Sequence, residues 1–364
     1  MKFRIVDGNS VICSTSDNEV EIHPLWLRER ASEARFLHEH TKQRLYEPSN
    51  LILDLSIESA KLKDDVLIVE FSDQEKCQFD LSKLTDEIEK NGKDTNLSLW
   101  DAAWEGVPTA TYESDGFEEL LYGLLKDFWQ YGAVVLESVP IEEVSILDIA
   151  NSIGSVRPTN FGDYFVVESM LNPNDLAYTD RQLVPHTDNP YRQPVPCVQL
   201  LLCIRNEVQG GETILVDGFN VAERIRRNKP ELFASLTKTL VRFRFEDENT
   251  ILENRGELIE LDREGEIKQV RYSPRLDYVP LHDQREMSMF YQARQEFASL
   301  CGSSEYRQEL RLRRGDLLMF DNYRVLHGRK EYNQTHGERI LHGCYIDYDS
   351  TGGKLRHLER NRKA

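Results

Sequence analysis

The stretch 185-PHTDNPYRQPVP-196 places a histidine and an aspartate two residues apart, directly before a run of turn-forming residues. In a strand or an extended loop, side chains two residues apart point the same way, so His186 and Asp188 can face one metal ion. His-x-Asp triplets are also common by chance. The interpretation as a metal site therefore depends on a third ligand from a distant part of the chain.

The best candidate for the third ligand among the nine histidines is His327, at the end of the apolar run in FDNYRVLHGR. Gly328 follows it and would let the backbone turn close to the site. Two histidines and one carboxylate are the ligand set typical of mononuclear iron oxygenases, which keep the other coordination positions open. Taken singly, a histidine such as His327 is more often a surface or core residue than a ligand.

Two further residues are candidates for holding carboxylates beside such a metal. Arg339 lies at the start of RILHGCYIDYD, and an arginine can bind a carboxylate through two parallel hydrogen bonds. Thr213, in GGETILVDGF, could donate a hydroxyl to a second carboxylate. The ordinary alternatives are a surface ion pair for Arg339 and a simple turn at Gly210-Gly211.

Composition excludes several classes of function. The 364 residues are 40% hydrophobic and 30% charged, a balance typical of soluble globular proteins. With 45 Lys and Arg against 63 Asp and Glu, the net charge of -18 argues against partners such as nucleic acid or anionic membranes. The six scattered cysteines form no Cys-x-x-Cys pair, which favours a reduced, cytoplasmic protein. No signal peptide or membrane span is evident.

The apolar pattern predicts a mainly β chain with flanking helices. Residues 1 to about 95 are expected to form short strands, and 97–114 a connection. Helical spacing is found in FEELLYGLLKDFWQY, which Gly132 would end, and in SILDIANSIGSV. After residue 180, strand-like segments dominate: CVQLLLCIRN, ETILVDGF, LVRFRFE, a hairpin around Glu264-Gly265, DLLMFDNYRVLHGR and RILHGCYIDYD. Regular strand–helix alternation is missing, so we expect a β-barrel or jelly-roll core rather than a doubly wound sheet.

Several stretches together resemble the γ-butyrobetaine and trimethyllysine hydroxylase family of taurine-dioxygenase-like Fe(II)/2-oxoglutarate oxygenases. They cover most of residues 110–350 in matching order: NFGDYF (160–165), NDLAYTDRQLVPHTDNPY (174–191), GGETILVDGF (210–219), DNYRVLHGR (321–329) and GCYIDYD (343–349). The resemblance implies a double-stranded β-helix (jelly-roll) catalytic domain at 101–364, a small N-terminal β domain at 1–100, and a homodimer.

The same resemblance implies roles for individual residues. His186, Asp188 and His327 correspond to the iron ligands, and Arg339 to the arginine that holds the distal carboxylate of 2-oxoglutarate. Thr213 falls in a stretch that lies near this co-substrate in relatives. The implied reaction needs no protein nucleophile or acid–base pair: it hydroxylates a C–H bond and releases succinate and CO2. Ascorbate would serve as the reductant in vitro.

The resemblance also implies a small zwitterionic substrate with a trimethylammonium group. Aromatic rings attract such a cation by about 0.5–2 kcal/mol each. Phe161, Phe165, Tyr178 and Tyr345 match the positions of the cage, and Asp175 would add attraction. Asn189, Tyr191 and Arg275 are candidates for binding the anionic end, with Arg271 nearby in RYSPR. The expected substrates are 2-trimethylaminoethylphosphonate, the substrate of a related bacterial hydroxylase, and γ-butyrobetaine.

One departure concerns the N-terminal region, where HPLWLRERASEARF resembles a family motif that normally continues into a zinc-binding cysteine cluster. Ala31, Glu33 and Phe36 occupy that region, so we predict that the structural zinc has been lost; His38 and His40 are weak candidates for substitute ligands. Two other functions remain open. One is a related oxygenase acting on a non-quaternary substrate, such as a sulfonate or an amino acid, and the other is a non-catalytic binding protein.

Overall fold

The computed structural model describes residues 1–14, 19–90, 97–168, 179–333 and 337–363. The chain divides into two compact units, Met1–Asp94 and Thr95–Ala364. Trp100 belongs to the second unit, because its indole Nε1–H donates to the Tyr131 carbonyl at 2.7 Å and its backbone N–H donates to Asp217 at 3.1 Å. The boundary therefore lies a few residues before the expected one at residue 100.

The first unit contains two three-stranded antiparallel sheets around an apolar core. Its elements are β1 (Lys2–Val6), β2 (Ser10–Ser14), β3 (Glu19–Glu21), α1 (Pro24–Arg28), β4 (Ile57–Lys63), β5 (Val66–Phe71), β6 (Lys76–Asp80) and α2 (Leu81–Lys90). Ala31 and Phe36 are buried in this core, and the Arg28 guanidinium lies over the Phe36 ring. His38 and His40 are exposed. Apolar packing thus occupies the region of the family's cysteine cluster, and the loss of zinc stays a prediction.

The second unit contains the remaining elements. Its strands are β7 (Thr109–Thr111), β8 (Ala133–Glu137), β9 (Phe165–Val167), β10 (Leu183–His186), β11 (Val198–Asn206), β12 (Gln209–Gly210), β13 (Thr213–Asp217), β14 (Leu240–Glu246), β15 (Ile251–Glu257), β16 (Ile259–Leu261), β17 (Ile267–Val270), β18 (Asp277–Tyr278), β19 (Arg307–Leu310), β20 (Leu317–Asp321), β21 (Val325–Arg329), β22 (Tyr332–Asn333) and β23 (Arg339–Ile346). Its helices are α3 (Phe117–Tyr131), α4 (Ile146–Ile153), α5 (Gly218–Asn228), α6 (Pro230–Leu236), α7 (Gln284–Gly302) and α8 (Tyr348–Lys363).

Two sheets form the body of this unit. One has the order β10-β21-β13-β19, and the other has the order β7-β8-β20-β11-β23-β9. Apolar side chains from both sheets, including Leu201, Leu215 and Phe320, share one buried cluster. Every pair is antiparallel except β7 with β8. The expectation of a mainly β fold with a jelly-roll core and outer helices is confirmed for this unit.

Helices cover the outer faces. The apolar stripes of α3 and α4 pack on the six-stranded sheet in a second cluster, and Gly132 ends α3 in a left-handed conformation, as expected. A third cluster joins α5, α6 and α7 to the smaller strands. All six cysteines are buried and unpaired. Among the described residues, no helix combines the length and the apolar character needed to cross a membrane.

Candidate metal centre

Strand pairing brings the two histidines together. β10 and β21 are antiparallel neighbours, with His186 directly opposite His327. Their rings lie 4.5 Å apart between centroids, as expected for paired residues on one face of a sheet. Asp188 follows β10 by two residues, so it joins the same cluster. The triplet and the distant histidine therefore meet as the sequence predicted.

The three side chains offer one ligand atom each, and these atoms all lie within 4.8 Å of one another. Asp188 Oδ1 is 3.2 Å from His186 Nε2, and Asp188 Oδ2 is 3.8 Å from His327 Nε2. Ligands bound at about 2.1 Å and at right angles around a metal are about 3 Å apart. The donor atoms thus have the spacing and the chemistry of a two-histidine, one-carboxylate facial site.

The hydrogen bond of His186 and the pKa shifts of the other two candidate ligands suit metal binding. His186 Nδ1 donates to the Val184 carbonyl at 2.8 Å, which leaves the lone pair on Nε2. Burial lowers the pKa of His327 to about 3, so this imidazole is neutral. Burial acts to raise the pKa of Asp188, but the imidazoles of His327 and His186 and the charge of Arg275 outweigh it, and this pKa lies below its usual range.

Two buried amides hold Asp188, and neither was identified from the sequence. Asn322 accepts the Asp188 backbone N–H at 2.8 Å and donates back to the Asp188 carbonyl at 3.0 Å. Gln199 donates to Asp188 Oδ2 at 2.9 Å, as does the Tyr345 hydroxyl at 3.0 Å. The sequence does contain a signal for Gln199, since it is the only polar residue in the otherwise apolar run VQLLLC (198–203). A polar residue buried in a core strand needs a partner.

The middle residue of the triplet points the other way and fixes a second segment. Thr187 is fully buried and donates its hydroxyl to the Val270 carbonyl at 3.0 Å. Its backbone N–H donates to the Tyr272 carbonyl at 2.7 Å, and its hydroxyl accepts the Tyr272 N–H at 3.1 Å. The segment leading to Arg275 is thereby attached to the backbone between the two candidate ligands.

One cavity contains the triad together with most of the other predicted residues. Its walls include Thr213, Arg339, Phe161, Phe165, Asn189 and Tyr345. Leu183, Leu201 and Leu341 supply apolar walls, and Arg329 lies there as a second cation. Tyr191 and Arg275 do not line it. The predictions for Asp175 and Tyr178 lie outside the described residues.

Arg339 is a buried cation without a counter-ion in the part of the chain that the structure describes. It is 6% exposed, and its Nε has no hydrogen-bond partner. Burial, together with the charge of Arg329, lowers the pKa of Arg339 to about 10, so it stays protonated at neutral pH. A buried, unpaired guanidinium is unfavourable unless an anion completes it. This corner of the cavity therefore suits a carboxylate.

Two glycines shape the cavity by allowing close approach. We expected Gly328 to let the backbone turn, but in the structure it lies inside β21. A Cβ there would be 2.6 Å from the Leu183 carbonyl oxygen of β10, so glycine lets the two ligand-bearing strands approach. A Cβ on Gly343 would be 2.4 Å from the Phe165 ring. Glycine at that position therefore leaves room for an aromatic wall residue.

Comparison with curated proteins finds relatives along nearly the whole chain. The gamma-butyrobetaine dioxygenase of Pseudomonas sp. (strain AK-1) is 28% identical over 368 residues, covering 97% of this chain and 94% of that protein. Human gamma-butyrobetaine dioxygenase is 31% identical over 263 residues, covering 70% and 67%. Rat mitochondrial trimethyllysine dioxygenase is 27% identical over 351 residues, covering 92% and 82%.

Solved structures are similar at the level of the fold. The PvcB protein from Pseudomonas aeruginosa matches with a TM-score of 0.51 at 16% identity, covering 71% of this chain and 94% of that one. Asparagine oxygenase in complex with Fe(II), 3-hydroxyasparagine and succinate matches with a TM-score of 0.50 at 15% identity, covering 63% and 78%. Residues 93–345 match the family described as taurine catabolism dioxygenase TauD, TfdA family. The chain belongs to this family and is an Fe(II)/2-oxoglutarate-dependent dioxygenase.

Proposed function

We propose that this enzyme hydroxylates a C–H bond of a small trimethylammonium zwitterion, with 2-trimethylaminoethylphosphonate and γ-butyrobetaine as the candidate substrates. His186, Asp188 and His327 would hold Fe(II). The observation that carries the proposal is a single cavity that combines this triad, an aromatic wall and a buried arginine that has no counter-ion among the described residues. The relatives named gamma-butyrobetaine dioxygenase and trimethyllysine dioxygenase support the same substrate class.

When bound, iron and 2-oxoglutarate supply the oxidative chemistry, which yields succinate, CO2 and one added oxygen on the substrate. The protein's own residues bind and orient. Arg339 would hold the distal carboxylate of 2-oxoglutarate, and the nearby Thr213 hydroxyl is a further donor in the same cavity. The apolar side chains of Leu183, Leu201 and Leu341 exclude water from the reacting atoms.

Arg339→Gln is expected to raise the KM for 2-oxoglutarate by about 10- to 100-fold, because hydrogen bonds to a charged group contribute about 1.5–3 kcal/mol. Steady-state kinetics with varied 2-oxoglutarate would measure this change. Arg205→Gln is the matched control, since Arg205 lies opposite Ile340 on the neighbouring strand and forms an exposed ion pair with Glu338. An Arg339 variant with unchanged KM would contradict the assignment.

The cationic end of the substrate would contact the aromatic wall. The Phe165 and Tyr345 rings lie 5.3 Å apart between centroids, and Phe161 lines the same cavity while its ring packs edge-on against Phe245. Aromatic faces attract a quaternary ammonium group, which offers no hydrogen-bond donor of its own. These three residues therefore suit that group better than they suit an anion.

Arg275 does not line the cavity itself, but it remains the candidate for the anionic end because of its charge. Its positive charge acts on both Asp188 and His327, so the guanidinium lies near the metal triad. Arg271, the other candidate, is engaged in an ion pair with Glu260. A guanidinium binds a dianionic phosphonate more strongly than it binds a carboxylate, which favours the phosphonate. The Tyr191 hydroxyl donates to Asn189, and the Asn189 amide donates to Tyr345, so we assign neither residue a direct substrate contact.

The proposal is tested by giving the enzyme Fe(II), ascorbate, 2-oxoglutarate and oxygen with a panel of trimethylammonium phosphonates and carboxylates, sulfonates and free amino acids. Mass spectrometry would detect the added oxygen, and succinate would be quantified in parallel. We expect product from a trimethylammonium compound, and the Arg275→Gln enzyme should lose about 10-fold in kcat/KM for that compound. Product only from a sulfonate or an amino acid would overturn the substrate class, and no succinate at all would favour a binding protein.

The homodimer and the cytoplasmic location stay predictions.

A further inference from the structure

The two oxygens of the Asp188 carboxylate have different surroundings. Oδ1 lies 3.2 Å from His186 Nε2. Oδ2 accepts hydrogen bonds from the Gln199 amide at 2.9 Å and from the Tyr345 hydroxyl at 3.0 Å. A carboxylate oxygen that already accepts two hydrogen bonds is a poor metal ligand. Oδ1 is therefore the oxygen available to the metal.

Tyr345 is itself held by a chain of buried polar groups. Asn189 Nδ2 donates to the Tyr345 hydroxyl oxygen at 2.9 Å, and the Tyr191 hydroxyl donates to Asn189 Oδ1 at 2.5 Å. All three residues are buried. Because the phenol oxygen of Tyr345 accepts from Asn189, its single hydrogen is directed at Asp188. Every donor in this series of hydrogen bonds therefore points the same way, from Tyr191 towards the Asp188 carboxylate.

The number of ligands matters for the reaction. A facial triad of protein ligands would leave the other coordination positions open, and 2-oxoglutarate and oxygen would both need them. A carboxylate can bind a metal through one oxygen or through both. If Asp188 turned to bind through both oxygens, it would occupy the position that oxygen needs.

We propose that Tyr345, oriented by Asn189 and Tyr191, is a positioning residue that keeps Asp188 a one-oxygen ligand. The proposal rests on the function proposed above, in which Asp188 is a ligand of iron. The Tyr345 ring also forms part of the cavity wall beside Phe165, so the same residue links the substrate pocket to the metal ligand. Outer partners of metal ligands commonly change metal affinity or activity by about 10- to 100-fold.

Tyr345→Phe removes the hydroxyl and keeps the ring. We expect Fe(II) affinity, measured by anaerobic titration, to fall about 10-fold, and the ratio of succinate to hydroxylated product to rise. The visible absorption band of the anaerobic Fe(II)–2-oxoglutarate complex should also shift. The matched control is Tyr323→Phe, which removes a part-buried hydroxyl that donates to the Val195 carbonyl at 2.9 Å and contacts none of the three ligands.

A double-mutant cycle separates this role from a general loss of packing. Tyr191→Phe removes the first donor of the chain, and it should weaken Fe(II) binding about 3-fold in the native background. In the Tyr345→Phe background the same change should have no effect, because the hydrogen bond that connects Tyr191 to Asp188 through Tyr345 is already lost. Additive effects, or a Tyr345→Phe enzyme with native Fe(II) affinity and a native succinate-to-product ratio, would overturn the proposal.

Two outcomes distinguish a failure of the positioning role of Tyr345 from a failure of the proposed function. If His327→Ala binds Fe(II) as tightly as the native enzyme, the ligand assignment itself is wrong. If the native enzyme binds iron through the triad and only Tyr345→Phe is silent, the positioning role alone fails. Should Tyr345→Phe not fold, Tyr191→Phe, which acts three hydrogen bonds away from the carboxylate, decides the question through its Fe(II) affinity.

Discussion

His327→Ala is expected to lower kcat/KM by about 10³-fold or more and to weaken Fe(II) binding strongly. The change removes one of three proposed ligands, and a bound metal contributes several kcal/mol to transition-state stabilisation. The fold should survive, since the ring packs against Phe320 and His186 at the cavity and its Nδ1 has no hydrogen-bond partner among the described residues. Fe(II) titration and succinate release, measured on the same samples, would check both effects.

The matched control is His342→Ala. His342 also lies on a strand of the second unit, β23, but it is only half-buried, contacts Tyr164 and does not line the cavity. This variant should retain Fe(II) binding and turnover. If the two histidine variants lose activity equally, the loss comes from disturbed packing of the sheets rather than from a missing metal ligand, and the ligand assignment would be wrong.

Asp217→Asn should reduce the free energy of unfolding of the second unit by about 3–5 kcal/mol, because it leaves the Arg324 guanidinium buried without a counter-charge. Neither side chain of this ion pair has any exposed surface, and their closest atoms are 2.7 Å apart. Arg324 also donates to the carbonyls of Ser98 and Gln130, so it joins four segments of chain. The thermal midpoint should fall by roughly 6–20 °C in calorimetry.

The single oxygen of asparagine can still accept the backbone N–H groups at the start of α5, so the variant keeps this helix cap but loses the charge and the acceptor of the Trp100 N–H. Adding Arg324→Met should recover part of the loss, since both charges are then gone. Glu142→Gln is the surface control, because Glu142 and Arg314 form an exposed pair, and its midpoint should equal that of the native protein. A native midpoint for Asp217→Asn would contradict the argument.

Much of the second unit followed from local patterns. Helical spacing predicted α3 and α4, and apolar runs predicted β11, β13, β20 and β23, because burial of one face imposes a period on the chain. The triad was predicted from residue type. His186 and Asp188 are two apart on an extended segment, and the search for a third ligand led to His327, which the structure places directly opposite His186.

What only the tertiary structure decided is how side chains far apart in the chain are paired. Gln199, Asn322 and Tyr345 reach Asp188 from positions 11, 134 and 157 residues away. Such contacts depend on strand register, and shifting a strand by one residue would turn these side chains to the opposite face. The sequence by itself determined the chemistry of the ligands, since residue type carries charge and donor atoms. The register of the folded sheets determined which neighbours orient them.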